Sequence, residues 1–434
     1  MSAERLVPTL AVAALLVLAG CAGGPTGEPG TATESPPSSP QPTDPATEAT
    51  PEQTTDSGEQ TTSVESNDSD VARRVSVDDT ATIENGTLPV NATLAFNRVE
   101  SLTGTDVDPW RVNVTNLSEW RRGVQRVGAS PLNRALGFEN VSTDWSEPTG
   151  LTTNGVVYIH PGDGTPAKTE RVLAHEYAHL VQYRTTIFPW QGRLSQPRLT
   201  TDLRKTRRSL VEGGAVFVAD AYTDRYLGIQ SNTAYARGLY RNGSATIRSA
   251  LAPYVFGSQY VEYRIDDPAN LSAAYESYPR TTEQVIHNYS RAEEPPANLR
   301  VNATAESEQW TYLGNNTLGE MTTRAALDTE LDRERAAAAA AGWGTDRLGV
   351  YQHATNESRY GWAWVMRWDN ASETDELQSA LSTYTSAREG NSETAFRVET
   401  VDDETVAVVF GDSRFVEGAE VAGTDGNVTV SVAG

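Results

Sequence analysis

A single short motif constrains this chain more than any other feature of its sequence. His175 and His179 stand four residues apart, which on an α-helix places both imidazoles on one face and within reach of one metal ion. Glu176 follows the first histidine, where its carboxylate can take a proton from a water beside that ion. Thr165 and Pro166 offer an N-cap and a proline at the first helical position, so the pattern predicts a helix that begins there.

A catalytic zinc site needs three protein ligands and one open position, so a third ligand is expected elsewhere in the chain. Gln182 and Thr185 occupy the positions where a third histidine on the same helix would stand. Glu212 is the best candidate, because a carboxylate in so apolar and glycine-containing a stretch needs a partner. Asp220 is the alternative, as a ligand or as a hydrogen-bond acceptor for a ligating histidine. The interpretation without a metal is a histidine pair that is packed or solvated on an ordinary helix, with Glu212 as a helix-start carboxylate or in a buried ion pair.

The two motifs together resemble the gluzincin class of zinc metallopeptidases. In that class a His-Glu-x-x-His helix is followed by a helix that carries a sequence like Glu212-Gly213-x-Ala215. The resemblance implies a zincin-like fold and a Zn²⁺ ion held by His175, His179 and Glu212.

A narrower resemblance, over residues 150–390, is to a group of secreted bacterial and haloarchaeal lipoproteins. That group often has an acidic residue where this chain has Gly214, and a proline where it has Asn288. Neither departure touches a proposed ligand. The further segments that carry the resemblance are Pro279-Arg-Thr-Thr-Glu283-Gln284-Val-Ile-His287, Ala340-Ala-Gly-Trp343-Gly344-Thr-Asp346-Arg347 and Arg367-Trp368-Asp369.

The gluzincin resemblance also implies roles for residues that do not bind the metal. Glu176 is expected to act as general base on the attacking water and then to carry the proton to the leaving amine. Gluzincins stabilise the oxyanion with a histidine or a tyrosine. His287 is the first candidate for this role, and Tyr254 or Tyr260 is the second. A His287 without any catalytic role is an equal alternative.

The N-terminus has the pattern of an exported lipoprotein. Residues 1–21 combine Arg5, an apolar run and the lipobox Leu18-Ala19-Gly20-Cys21, which predicts a signal peptide and lipidation of Cys21. A plain secretory signal is the alternative. Residues 22–72 consist mainly of Pro, Thr, Ser, Glu and Gly, a composition that cannot form a core and predicts a disordered tether. We therefore expect a lipid-anchored protein on the extracellular face of the membrane, with glycosylation possible at Asn-x-Ser/Thr sequons such as Asn67.

The charge balance points to a saline environment. The net charge is −23, and only Lys168 and Lys205 among the 35 basic residues are lysine. Such an acidic surface suits a halophilic protein, because carboxylates keep a protein hydrated and soluble in molar salt. The same balance disfavours nucleic-acid binding. Residues 184–208 are locally cationic, and either line the cleft for acidic substrates or pair with carboxylates of the chain itself.

The chain after the tether is long enough for two domains. The predicted fold class is α+β: a mainly helical zincin-like metallopeptidase domain with a small sheet over residues 73–295, then an α+β domain over 296–434. The periodicity predicts a helix over 109–136 and a strand over Val156–Ile159. The gluzincin resemblance implies that this strand runs along the cleft and can pair with an extended substrate. In the second domain we expect helices over 319–341 and 372–388, and strands near 346–353, 359–368, 394–400 and 404–411.

Taken together, the sequence predicts a zinc metallopeptidase that acts on peptide or protein substrates. A non-catalytic surface lipoprotein with a structural metal site, or a zinc hydrolase of non-peptide bonds, is the alternative. A closed structural site would differ by having a fourth protein ligand. The oligomeric state is left open.

Overall fold

Three sheets and the helices packed on them make up the part of the chain that the computed structural model describes, residues 80–117, 130–141, 146–191, 199–305 and 308–433. Of these described residues, 46% are helical and 24% are in strands, so the fold belongs to the mixed helix-and-sheet class. The predicted signal peptide, tether and lipidated Cys21 lie outside the described residues. Within those residues, no helix combines the length and apolar character that crossing a bilayer requires.

The first sheet lies beside the predicted metal-binding helix. Its strands are arranged in the order β1-β2-β4-β3, with β1, β2 and β4 parallel and β3 antiparallel to β4. The predicted strand at Val156–Ile159 is confirmed, but it is paired on both sides and cannot bind an extended substrate through its backbone. The edge strand is β3. The bounds are β1 (Ile83–Glu84), β2 (Arg111–Val114), β3 (Thr149–Thr153) and β4 (Val156–His160), and helix α1 (Ala92–Thr103) lies between β1 and β2.

The helix predicted over residues 109–136 is wrong in its first part. Residues 111–114 form β2, because Val112 and Val114 alternate with polar residues and Val112 is fully buried against β4. A short helix, α2 (Pro131–Ala135), forms near the end of the predicted range. Residues 118–129 lie outside the described part of the chain. Pairing with a distant strand therefore overrides a local pattern that resembles helical spacing.

Helices α3 (Pro166–Arg184) and α4 (Thr201–Tyr222) form the centre of the first half. The predicted start of α3 is confirmed, since the Thr165 side chain accepts a hydrogen bond from the Lys168 amide and Pro166 is the first helical residue. Thr200 caps α4 in the same way, by accepting from the Leu203 amide. The following helices are α5 (Asn232–Asn242), α6 (Ala245–Arg264) and α7 (Thr282–Ile286).

Helices α4 and α6 cross unusually closely. A Cβ atom added to Gly213 would lie 2.2 Å from the carbonyl carbon of Gly257, and one added to Gly257 would lie 2.0 Å from the carbonyl oxygen of Ser209. Only glycine permits this distance between the two backbones. The crossing holds the Glu212 side of α4 against α6.

The second half is built on a five-stranded antiparallel sheet in the order β6-β7-β8-β10-β9, and a smaller sheet in the order β11-β12-β5. All four strands predicted here are confirmed. The single helix predicted over 319–341 is two helices, α8 and α9, because Asp332 caps a new start by accepting from the Arg335 amide. The bounds are β5 (Arg300–Ala303), β6 (Trp310–Asn316), α8 (Glu320–Leu327), α9 (Arg333–Ala340), β7 (Trp343–His353), β8 (Asn356–Trp368), α10 (Ala371–Asn391), β9 (Ala395–Asp402), β10 (Thr405–Gly411), α11 (Ser413–Gly418), β11 (Ala419–Thr424) and β12 (Asn427–Val432).

The two halves are joined by a buried polar network at the start of α4. Asp202 accepts hydrogen bonds from the amide (2.8 Å) and the hydroxyl (2.7 Å) of Thr282, while its own amide donates to the Thr317 carbonyl. Asp346 in β7 accepts from the amides of Leu318 and Gly319. In addition, residues 135–138 of the first half pack in the core of the second. The domain boundary at residue 295 therefore stays a prediction.

Candidate metal centre

Helices α3 and α4 bring three side chains with metal-binding atoms to one point. His175 Nε2 lies 3.5 Å and His179 Nε2 lies 3.3 Å from Glu212 Oε2, and the two imidazole rings are perpendicular with centroids 4.7 Å apart. Each residue offers one ligand atom, and these atoms lie within 4.8 Å of one another. We call these three residues the triad. The fold thus brings together the predicted ligand set, in which Glu212 is 33 residues after His179 and on a different helix.

The triad has unmet bonding capacity that suits a cation. His175 Nε2, His179 Nε2 and both carboxylate oxygens of Glu212 are buried without a hydrogen bond. A buried carboxylate or imidazole without a partner is costly, and a divalent ion would satisfy all four atoms. Two nitrogens and a carboxylate are the donor set of a catalytic zinc site. The described residues of the chain can therefore hold a metal ion here.

The charges of Glu212 and His175 favour the form of each side chain that binds metal, whereas His179 has to lose a proton when a metal binds. Burial opposes ionisation of Glu212, but the two imidazoles and Arg208 outweigh it and lower its pKa to about 2. Burial lowers the pKa of His175 to about 4, which keeps this ring neutral. For His179 burial acts in the same direction, but Glu212 outweighs it and raises the pKa. A ligand carboxylate that is already ionised does not have to lose a proton when a metal binds.

Gln182 orients one ligand from behind. His179 Nδ1 lies 2.9 Å from Gln182 Oε1, and the Gln182 amide donates to the Val211 carbonyl (2.9 Å) and lies 3.3 Å from the Tyr275 hydroxyl. An amide oxygen can only accept, so in the neutral ring the Nδ1 atom carries the proton and Nε2 presents its lone pair to the triad. In the sequence, Gln182 was notable only because it stands where a third ligating histidine would be, and its supporting role was not predicted.

Gly214 makes room for this support. A Cβ atom at this position would lie 2.0 Å from the Tyr275 hydroxyl and 2.7 Å from Gln182 Nε2. Any side chain in place of the glycine hydrogen would displace the tyrosine. In this chain Tyr275 and Gln182 occupy the space behind His179.

The Glu176 side chain lies between its own helix, α3, and the edge strand β3. Thr152 donates to Glu176 Oε2 over 2.6 Å, whereas Oε1 is buried without a hydrogen bond. A Cβ atom on Gly150 would lie 2.5 Å from Glu176 Cγ, so only a glycine leaves space for this carboxylate. Burial raises the pKa of Glu176 to about 7, against the opposing effects of His179 and Thr152. One free oxygen and a pKa near neutrality are the properties of a general base.

Tyr254 and Arg208 complete the site on the side of α6. The ring of Tyr254 stacks on the His175 ring, with centroids 6.4 Å apart. Arg208 Nε lies 3.6 Å from Glu212 Oε1, and its Nη2 donates to the Tyr254 hydroxyl over 3.4 Å. The Arg208 side chain is 20% exposed, whereas the triad is at most 2% exposed, so this side of the site faces solvent. From the sequence, Tyr254 was predicted as an alternative to His287 for stabilising the oxyanion, and Arg208 was indicated only as part of a cationic run.

The other residues predicted near the site have different partners. His287 Nε2 lies 3.0 Å from Glu320 Oε2, and its ring stacks on Tyr289. Asp220 accepts from the amides of Asn232 and Thr233 at the start of α5, so it is a helix cap. Arg264 lies over the ring of Tyr260. None of these contacts reaches the triad, and an oxyanion role for His287 stays a prediction.

Comparison with known proteins gives one match. Residues 309–430 match a family described as a domain of unknown function, DUF8575. The match runs from the start of the five-stranded sheet into β12 and does not include the triad. No curated protein and no solved structure matches the chain.

Proposed function

We propose that the protein is a zinc-dependent metallopeptidase of gluzincin type, anchored through Cys21 on the outer face of the membrane. The observation that carries the proposal is the buried triad with a carboxylate beside it that has one unpaired oxygen. Within the described residues, the group of converging ligand atoms comprises three side chains and no fourth. Three protein ligands are typical of a catalytic zinc site, whereas a structural site has four.

The residues around the triad supply the remaining chemistry. When bound, zinc supplies a Lewis acid that polarises the scissile carbonyl and lowers the pKa of a water. Glu176 accepts one proton of the attacking water at Oε1 while its Oε2 is held by Thr152. The hydroxide adds to the carbonyl carbon, and Glu176 delivers the proton to the nitrogen of the breaking C–N bond. Burial of the triad and Glu176 strengthens these electrostatic interactions.

Tyr254 is the group that we assign to the oxyanion. Its ring lies against His175, and its hydroxyl is held by Arg208. Burial and the charge of Glu212 raise its pKa well above 10, so the hydroxyl keeps its proton and can donate it in a hydrogen bond. His287 is paired with Glu320 and would have to leave this partner to stabilise the oxyanion in place of Tyr254.

The edge strand β3 is suited to position the peptide. It runs beside Glu176 through Gly150 and Thr152, and among the described strands it pairs with β4 alone. A substrate in extended conformation can add to such an edge through backbone hydrogen bonds.

The test is digestion of a diverse peptide mixture by the purified full chain in molar salt, followed by mass spectrometry of the products. We expect new peptide ends that disappear when the protein is treated with a chelator and return when zinc is added. A chain that holds zinc but cleaves no peptide would overturn the peptidase assignment. Hydrolysis of an ester or amide panel in that case would assign it to another class of zinc hydrolase.

A further inference from the structure

Helix α4 carries two cationic side chains on the same face as the metal ligand. Lys205, Arg208 and Glu212 follow at intervals of three and four residues, which places them in one row along the helix. Arg208 contacts both Glu212 and the Tyr254 hydroxyl, and Lys205 Nζ donates to the Ser249 hydroxyl over 2.9 Å. Both partners across the row, Ser249 and Tyr254, belong to α6. We call Lys205 and Arg208 the basic pair.

Lys205 is unusual in this chain. It is one of two lysines in a protein of net charge −23. Within the described residues no ion pair joins it to a carboxylate, whereas the other lysine, Lys168, lies 2.7 Å from Glu147. Burial and then the neighbouring Arg208 lower the pKa of Lys205 to about 7, and Asp202 opposes this only in part. A half-buried ammonium group beside a guanidinium favours binding of an anion.

The rest of the cationic run has other contacts. Arg204 donates to the Leu199 carbonyl and to the Thr201 hydroxyl, so it closes the first turn of α4. Arg184 and Arg207 lie over the rings of Trp110 and Trp190. Arg193 and Arg198 are outside the described residues. Among the basic residues of this run that the structure describes, Lys205 and Arg208 are the two in one row with Glu212 along α4.

We infer that Lys205 and Arg208 bind a carboxylate of the substrate, so that the favoured substrates are acidic peptides. The inference rests on the proposed peptidase function and adds a substrate class to it. Along α4, Arg208 is four residues and Lys205 is seven residues before Glu212. These separations correspond to about 6 Å and about 10 Å along the helix axis. An extended peptide advances about 3.4 Å per residue. The bound carboxylate therefore belongs to a residue about two or three positions from the scissile bond, either as an acidic side chain or as the free C-terminus.

Binding measured without turnover tests this directly. The zinc-loaded Glu176→Gln variant of the full chain is titrated with three fluorescent peptides of one sequence background. The first has a glutamate and an amidated C-terminus, the second has glutamine instead, and the third has glutamine and a free C-terminus. The salt concentration is the lowest at which circular dichroism shows a folded protein, because salt screens the charges.

We expect the peptide that carries the recognised carboxylate to bind about tenfold more tightly than the neutral peptide, the effect of one charge-assisted hydrogen bond. Tighter binding of the first peptide identifies a side-chain carboxylate, and tighter binding of the third identifies the C-terminus. Adding Lys205→Gln should remove the preference. The matched substitution of the other lysine, Lys168→Gln, should leave it unchanged.

Two results would overturn the inference in different ways. Equal affinity for all three peptides, or a preference that survives Lys205→Gln, contradicts the carboxylate site but leaves the peptidase proposal standing. If the wild-type chain holds zinc but cleaves no peptide, and the zinc-loaded Glu176→Gln variant binds none of the three peptides, the peptidase proposal fails. The inference then fails with it.

Discussion

His179 Nδ1 and Gln182 Oε1 are 2.9 Å apart, and this contact fixes which nitrogen of a proposed metal ligand faces the triad. Gln182 is itself held by the Val211 carbonyl on α4, the helix that carries Glu212. The orientation of one ligand is thus tied to the backbone beside another. Such outer partners fix the tautomer and the orientation of the ligating ring.

Gln182→Leu should therefore weaken zinc binding by about 10- to 100-fold. The leucine removes the acceptor at Nδ1, so the imidazole loses its fixed tautomer and orientation. Competition with a chromophoric chelator measures the affinity, and circular dichroism serves as the control for folding. An unchanged affinity in a folded variant would show that Gln182 does not support the site.

Glu176→Gln should retain zinc and lose at least about a hundredfold in peptide hydrolysis, the usual contribution of a general base. The amide keeps the shape of the side chain but cannot accept the proton of the attacking water. Turnover and metal content are measured on the same preparation. Glu334→Gln, on the exposed face of α9, is the matched control. Full activity of Glu176→Gln would rule out the proposed mechanism.

Gly150→Ala should impair hydrolysis without removing the metal. Its Cβ atom would lie 2.5 Å from Glu176 Cγ and 2.6 Å from Oε1, so the carboxylate must move. A displacement of about 1 Å can cost about a hundredfold in rate. Gly238→Ala, where an added Cβ atom meets nothing within 4 Å, is the control and should have normal activity. If both variants are equally active, Glu176 does not act from the position described here.

Asp202→Asn should make the stability of the protein less dependent on pH. Burial, and then the nearby charges of Asp346 and Glu320, raise the pKa of Asp202 to about 7 although Thr282 opposes the shift. Since the folded state holds this proton up to about pH 7 and the unfolded state releases it near pH 4, the folded state binds more protons in this window. The free energy of unfolding therefore falls as pH rises from about 4 to 7.

Urea titrations at several pH values measure this slope. The Asn variant should lose less stability across the window than the wild-type chain, by up to a few kcal/mol. Asp224→Asn, on an exposed residue after α4, is the matched control and should follow the wild type. Parallel curves for Asp202→Asn and the wild type would contradict the raised pKa.

The parts of the site that lie close together in sequence could be predicted. The start of α3 at Thr165 and the face shared by His175 and His179 depend on local capping and helical spacing. Glu212 could also be predicted, because a carboxylate in an apolar run requires a partner wherever the chain supplies one. These are the three ligand residues that the structure brings together.

What could not be predicted depends on contacts across the fold. Nothing near Gly150 in sequence indicates that its missing side chain leaves space for Glu176 on another element. The partner of His287, Glu320, is 33 residues away and on a different helix. The hairpin of β11 and β12 was a missed signal of another kind. Its turn residues Asp425 and Gly426 both have positive φ, and an Asp-Gly pair between alternating strands is a recognised hairpin pattern.

If His175, His179 and Glu212 hold a zinc ion, the metal content of the protein should depend on Glu212. The full chain, purified in molar salt, is compared with Glu212→Ala by elemental analysis, with Glu334→Ala as the control. We predict about one zinc per chain in the wild type and the control, and little or none in Glu212→Ala. Equal zinc in all three proteins, or no metal in any of them after zinc has been added, would contradict the account.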